Sequence, residues 1–183
     1  IPEDIKQEII YCAAQAPTAG NQQLYTILDI TDQALKDKLA VTCDNQPFIA
    51  KAPLVLIFCA DAGKWHDAYI EAGCGPRAPG AGDLMLAVCD AAIAAQNAVT
   101  AAESFGIGSC YIGDIMEQCE THRELLDLPA YVFPALMLVF GYPTQQQMSR
   151  EKPERFPMKH IVHENTYRRM DGPELREMMS QRA

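Results

Sequence analysis

Basic residues are scarce in this chain: 15 Lys and Arg stand against 24 Asp and Glu, a formal net charge of −9. So acidic a protein has no general attraction for nucleic-acid phosphates or anionic lipid, which argues against both as partners. Disulfide patterning is missing as well. Seven cysteines (12, 43, 59, 74, 89, 110 and 119) are scattered along the chain without one C-x-x-C pair. An odd, dispersed set suits buried thiols in a reducing cytoplasm better than a secreted framework. There is no phosphate loop ending in Gly-Lys-Ser/Thr and no Gly-x-Ser-x-Gly elbow. No signal-peptide pattern is expected either. The longest apolar stretch, Met85 to Phe105, is interrupted by Asp90, Gln96, Asn97 and Glu103, so it does not read as a membrane span.

What remains is the composition of a folded protein. The 183 residues are 49% hydrophobic and 21% charged, with 8% aromatics, 11 Gly and 12 Pro. That length predicts one domain, or two very small ones, in a chain able to bury about 70% of its unfolded surface without metal or disulfide.

Periodicity places the elements. Ile5, Ile9, Ala13 and Ala16 recur at helical spacing from Pro2 to Gln15, although Ile1 sits where a capping Ser, Thr or Asp is preferred. Pro17 to Asn21 forms a loop, Leu24 to Ile30 a strand, and Thr31-Asp32 caps a helix over Gln33 to Val41. Asn45-Gln46-Pro47-Phe48 reads as a polar interruption. The unbroken run Leu54 to Cys59 predicts a strand buried on both faces.

Trp65 to Ala72 predicts a short helix, and Gly73 to Gly82, with four Gly and two Pro, a loop. Met85 to Phe105 has no Gly or Pro and eight alanines, giving a long helix that neighbours can approach closely. Ser109 to Ile112 is a strand, Gly113-Asp114 a turn, Glu120 to Leu126 a helix and Ala135 to Phe140 a strand. The tail from Thr144 to Pro157 is polar and helix-poor. Lys159 to Val162 reads as a further strand and a last helix begins at Pro173. Strands and helices alternate without a linker, an α/β or α+β pattern.

Gly73-x-Gly75-x-x-Ala78 resembles a dinucleotide fingerprint, but no strand precedes it, and Pro76 and Pro79 spoil the helix that must follow. His160 and His163, on a strand, would point to opposite faces, so packing or surface histidines are expected rather than a metal pair. None of the cysteines has an adjacent His to lower its pKa. Polar residues collect in three loops: Thr18, Asn21 and Gln23; Asn45 and Gln46; and Ser109 to Asp114. Turn chemistry accounts for each singly, yet such amides also suit the edge of a planar heterocycle. Residues 150–169 hold six bases against three acids, leaving −12 on the rest of the chain. Such an island suits a phosphate as well as it suits a solvated tail.

These segments, in order, resemble one family. Ala14 to Gln23, Asn45-Gln46-Pro47-Phe48 with Ala52-Pro53, Ala94 to Asn97 with Ala101 to Gly113, Phe140 to Pro143, and Lys152 to Pro157 are similar to motifs of the FMN-dependent nitroreductases. The resemblance implies a three-layer α+β fold: a central, mostly antiparallel sheet flanked by helices, in a homodimer with exchanged C-terminal extensions. It implies one nitroreductase-like domain over 1–183, with FMN at the subunit interface, NADH or NADPH as donor, and a nitroaromatic, quinone or similar small-molecule acceptor.

Carried over by the resemblance, Pro17, Thr18, Asn21 and Gln23 line the flavin. Asn45 bonds its polar edge, with Gln46 and Phe48 nearby. Tyr111, Ile112 and Gly113 pack along the ring, a backbone N–H facing N5, while Arg155 and Lys152 meet the phosphate. No side-chain acid or base is required, since the redox step belongs to the cofactor.

Two departures stand out. The family's Arg-x-Ser-x-Arg segment, which grips the flavin phosphate and ribityl chain, would lie just before Ile1 and is absent, so either the sequence is cut there or the site is expected to bind FMN weakly with only the tail bases. The aromatic that follows the first loop is replaced by Leu24-Tyr25. Two further readings keep the fold and drop the chemistry: a non-catalytic flavin- or ligand-binding relative, and a structural dimerisation domain.

Overall fold

β2 (Leu54–Asp61) is buried along its whole length, and the reason lies in the two faces of its pleat. Leu54, Leu56, Phe58 and Ala60 enter one apolar cluster, whereas Val55, Ile57 and Cys59 enter a second on the opposite side. A strand with apolar residues at both parities needs cover on both faces, which produces three layers. The computed structural model describes residues 1–180. It divides into two compact units, 1–143 and 144–183.

In the first unit β2 pairs antiparallel with β1 (Tyr25–Asp29) and with β4 (Val132–Gly141). β4 pairs antiparallel with β3 (Gly108–Ile112), giving the order β1-β2-β4-β3. One face is covered by α1 (Glu3–Ala14) and α5 (Ala81–Ser104). The other cluster draws on α2 (Gln33–Thr42), α3 (Pro47–Lys51) and a 3-10 turn at Gly113–Met116, with α6 (Cys119–Leu125) packed against it. α4 (Gly63–Glu71) follows β2 directly, its first turn fixed by buried Asp61, which accepts from Lys64 N at 3.1 Å and Thr26 Oγ1 at 2.6 Å.

Three sequence expectations need adjusting here. The polar interruption after Asn45 contains α3, because Pro47 sits at its first helical turn, where a missing N–H is harmless. α5 starts one turn earlier than Met85: the Asp83 carboxylate accepts from Gly80 N at 2.8 Å and offsets the helix-weakening glycines. β4 starts before Ala135 and includes Pro134. The register shifts between Phe58 and Cys59, and β3 pairs only with residues 137–141, so this proline faces no lost ladder bond on that side.

By length and mean hydropathy (1.5) α5 could cross a bilayer. It is instead the central helix of this unit. Ala87, Ala91, Ala94, Ala95, Ala98 and Ala102 are buried, and Asn97 donates to Cys12 O at 2.6 Å, tying it to α1.

The second unit holds α7 (Gln145–Ser149), a 3-10 turn at Met158–His160 and α8 (Gly172–Ser180). Thr144 caps α7, accepting from Gln147 N at 3.3 Å, so the segment expected to be helix-poor carries a short helix. The strand expected over Lys159 to Val162 does not form. Pro157 opens a 3-10 turn instead, and Ile161 and Val162 remain exposed. The opposite-face argument for His160 and His163 therefore fails: both line one cavity of about 430 Å3 within this unit.

Candidate functional site

Asp90 is the one acidic residue on the buried side of α5, at 2% exposure, and it organises the first loop. The Thr18 hydroxyl and the backbone N–H groups of Ala19 (3.2 Å) and Leu24 (3.1 Å) all donate to its carboxylate. Gln23 N then donates to Thr18 Oγ1 at 2.8 Å. Asn21 and Gln23 adopt φ of 57° and 51°, left-handed values that side chains other than glycine seldom take. The loop carrying Pro17, Thr18, Asn21 and Gln23 is thus pinned from beneath, and Pro17, Asn21 and Gln23 stay exposed.

The second loop is built in the same way. Asp44 and Asn45 are also left-handed, with φ of 59° and 52°. Gln46 Nε2 donates to Cys43 O and to Asp114 Oδ2, both at 2.9 Å. That second bond joins the loop to the residue after Gly113, so two segments far apart in sequence meet. His122, fully buried, reinforces the junction. Its Nδ1 lies 2.7 Å from Ile115 O, its Nε2 2.8 Å from Thr42 Oγ1, and Gln118 donates to Thr42 O at 2.8 Å. Of the seven left-handed non-glycine residues among those described, four fall in these two loops, a concentration typical of sites where geometry is held for a ligand.

The other expected residues take different positions. Phe48 and Tyr111 are 43% and 44% exposed, large aromatic surfaces left uncovered. Tyr111 donates to Gln96 Oε1 on α5 at 3.3 Å, and burial pushes its phenol upward, so it stays neutral. Ile112 is buried in the lower core and does not present its side chain to a surface ligand. A Cβ at Gly113 meets nothing within 4 Å, so the backbone there faces open space. Lys152 and Arg155 belong to the second unit and are exposed. Of the six bases in 150–169, Lys159 pairs with Glu177 (2.8 Å) and Arg168 with Glu174 (2.6 Å). Among the described residues the other four make no ion pair, so part of the basic island is neutralised by α8.

The statement that no cysteine has a His neighbour holds for the sequence but not in space. Cys43 Sγ lies 3.8 Å from His122 Nε2. The thiol is no nucleophile, however, because burial, with help from Asp114, pushes it up to about 11. Burial likewise pushes Cys59 up to about 12. Among the described residues no group of three or more His, Cys, Asp or Glu is placed to hold a metal ion.

Asp90 and His122 are the two organising residues that sequence reasoning missed. Asp90 gives one signal, a carboxylate inside an alanine-rich stretch, which reads equally as a simple break in hydropathy. His122 gave none, standing singly in a short polar helix.

A third feature adjoins the first loop. A cleft of about 470 Å3 lies between Gln22 and Leu24, the aromatic side of α4, the Cys74–Pro79 stretch and the start of α5. The glycine-rich loop is one of its walls. It follows a helix rather than a strand, which agrees with rejecting the dinucleotide fingerprint.

Comparison with known proteins places this geometry. Residues 1–142 match the family model described as the nitroreductase family. The chain is 36% identical over 169 residues to an oxygen-insensitive NADPH nitroreductase of Salmonella typhimurium, covering 92% of this chain and 68% of that protein. It is 35% identical over 161 residues to an FMN reductase (NADPH) of Bacillus subtilis, covering 87% of this chain and 64% of that protein. Among solved structures, NfrA2 of B. megaterium superposes with a TM-score of 0.90 at 33% identity, over 99% of this chain and 73% of that one. The chain spans about two thirds of the length of these relatives. With a family model matched over most of its length and a three-layer antiparallel fold to go with it, this chain belongs to the nitroreductase family.

Proposed function

We propose that the chain is an FMN-dependent NAD(P)H oxidoreductase that reduces a nitroaromatic, quinone or similar small acceptor, acting as a homodimer in the cytoplasm. The observation that carries this reading is the Gln46–Asp114 bond, which brings an amide-bearing loop against the glycine backbone after β3.

The residues fit FMN. Gln46 spends its N–H groups on Cys43 O and Asp114, leaving Oε1 without a protein donor among the described residues, an acceptor suited to a ring N–H. Gly113 leaves room for a ring to approach the backbone, and Phe48 and Tyr111 supply uncovered aromatic faces. Pro17, Thr18, Asn21, Gln23 and Asn45 complete the lining, Ile112 supports it from the core, and Arg155 with Lys152 holds the phosphate. When bound, FMN supplies the hydride chemistry. The chain's own work is to orient the ring, to stabilise charge arriving on it with N–H donors, and to keep Tyr111 a neutral phenol. No side chain needs to act as acid or base.

Homodimer formation is supported by α5, which is apolar on both sides. Its alanine face is buried in the fold, while Met85, Leu86 and Ile93 on the other side are 70%, 43% and 44% exposed. An apolar patch left exposed on the first half of a helix is normally covered by another surface. We read 1–183 as one nitroreductase-like domain, a reading supported by the family model that matches residues 1–142 of it. Seven free thiols support a reducing compartment.

The test is spectroscopic. The purified protein, supplied with FMN, should show a bound flavin absorption band that NADH or NADPH bleaches in the absence of oxygen. Bound flavin that neither nucleotide bleaches points to a non-catalytic relative. A protein that takes up no flavin and melts identically with and without FMN points to a dimerisation domain.

A further inference from the structure

We propose that the hollow where the sheet's β2–β4 end, the start of α5 and α6 meet binds a small apolar monocarboxylate, its charge met by Arg123 and its body by the lining. The site stands on the geometry alone and does not rest on the oxidoreductase reading.

Arg123 is a half-buried cation with no anion to answer it. Among the described residues it makes no ion pair, and its one side-chain hydrogen bond runs from Nη2 to Pro129 O at 3.2 Å. Its Nε is covered and unpartnered, and Nη1 makes no bond to the protein. Glu120 and Glu124 share α6 with it, but both are exposed and stand outside ion-pair distance. Asp83, in the first turn of α5, is already held by Arg77 at 2.6 Å and by Gly80 N at 2.8 Å. A guanidinium drawn partly out of water and left unanswered is costly, and an incoming carboxylate offsets that cost. Gly80 and Ala81 bring the N terminus of α5, its positive pole, to the same hollow.

The lining sets the rest of the ligand. Among the described residues Arg123 is the only charged one in it, and Ala60, Leu84, Ala87, Val132 and Phe133 make most of the remainder apolar. One cation in an apolar wall selects a single negative charge on an apolar body, and leaves a phosphate's further charges unanswered. The volume, about 240 Å3, falls below the roughly 300–1,000 Å3 of drug-sized sites, so the body is small. Cys119, one turn before Arg123, is no competing nucleophile. Burial and Glu120 push its thiol up, against the pull of Arg123, so it stays neutral and adds to the apolar wall. The rim is fixed before a ligand arrives. Tyr131 adopts φ 63°, a left-handed value rare for a bulky side chain, and its carbonyl accepts from Ala62 N at 3.2 Å. A wall ordered in advance spares the ligand the entropy of ordering it.

Radiolabelled hexanoate tests this in equilibrium dialysis against the full chain, with and without saturating FMN. A saturated acid accepts no hydride, so binding is read apart from turnover. One saturable site per chain is expected, with the same Kd whether or not FMN is present. Arg123→Met should raise that Kd at least about tenfold, as the loss of a charge-assisted hydrogen bond requires. 1-Hexanol, which has the chain without the charge, should compete at least about tenfold more weakly than unlabelled hexanoate. Leu84→Phe narrows the hollow and leaves Arg123 in place, so it should weaken binding as well, whereas Tyr69→Ala in the neighbouring cleft should not. Urea unfolding checks each variant, and the hexanol and Leu84→Phe arms decide the outcome if Arg123→Met does not fold. No saturable binding at millimolar hexanoate overturns the site. So does binding that a folded Arg123→Met keeps, or that hexanol displaces as well as hexanoate does. Loss in Tyr69→Ala assigns the acid to the neighbouring cleft, and displacement by FMN assigns it to the flavin site; either overturns the proposal. All of these results leave the oxidoreductase reading intact, because none measures flavin reduction.

Discussion

At the scale of single residues, the candidate site rests on side chains that touch no ligand. Asp90 is costly to bury, and it is retained because three donors converge on its carboxylate, two of them backbone N–H groups of the first loop. Truncating it leaves Leu24 N buried and unpaired and frees Ala19 and Thr18. Asp90→Ala is therefore expected to lower stability by about 2–4 kcal/mol in urea unfolding, from roughly 1–3 kcal/mol per orphaned buried donor. It should also weaken FMN binding, because the left-handed conformations of Asn21 and Gln23 lose their anchor. Asp90→Asn, which keeps an acceptor oxygen, should fall between the two. An Asp90→Ala protein with an unchanged urea midpoint and unchanged FMN affinity would remove Asp90 from this role. The buried thiols illustrate the opposite lesson: Cys43 has a histidine neighbour, yet desolvation decides its state and keeps it protonated.

At the scale of elements, what could be read from sequence was what depends on near neighbours. β2 announced itself because consecutive apolar residues leave no polar face, and α5 because a long run lacks breakers. α3 escaped because five residues carry no period, and the start of β4 was hidden by Pro134, whose tolerance depends on where β3 stops. The Lys159 to Val162 segment has strand-like residues but no strand to pair with. The site followed the same rule. Loop composition marked all three polar segments, whereas the Gln46–Asp114 and Asp90–Thr18 contacts, between residues 68 and 72 apart, leave no trace in spacing. The glycine-rich loop gives a pH prediction at this scale. Arg77, helped by Gly80 N, lowers Asp83 from 3.8 to about 2. A depressed carboxylate contributes its tie above the ordinary pKa and loses it as pH falls through the folded value, here between about pH 4 and pH 2. Carboxyl NMR should place the Asp83 midpoint near 2 in the native protein and move it upward in Arg77→Ala. Equal midpoints in the two proteins would mean that the pair does not hold the loop in solution.

At the scale of the whole molecule, the charge and the apolar surface divide the protein's work. The net −9 is uneven, and α8 returns two acids, Glu174 and Glu177, to the basic stretch, leaving Arg150, Lys152, Arg155 and Arg169 outside ion pairs among the described residues. Four unpaired bases in one short stretch are enough to meet a phosphate, and they become more important wherever other phosphate contacts are few. The exposed side of α5 makes the opposite demand. Met85, Leu86 and Ile93 are too apolar to favour water, and they sit on a helix whose other side is already filled by the sheet. A second copy of the chain is the simplest cover, because one self-complementary patch closes a two-fold dimer. Light scattering should then give twice the chain mass of 20.2 kDa. Ile93→Glu is exposed in a lone chain and costs a monomer little, but in a dimer it buries an unpaired charge on each side of the axis. A penalty of roughly 4 kcal/mol already weakens association about a thousandfold, so this variant should run as a folded monomer with an intact far-ultraviolet spectrum. If it instead keeps the dimer mass at micromolar concentration, the α5 face is not the subunit interface and its apolar residues have some other cover.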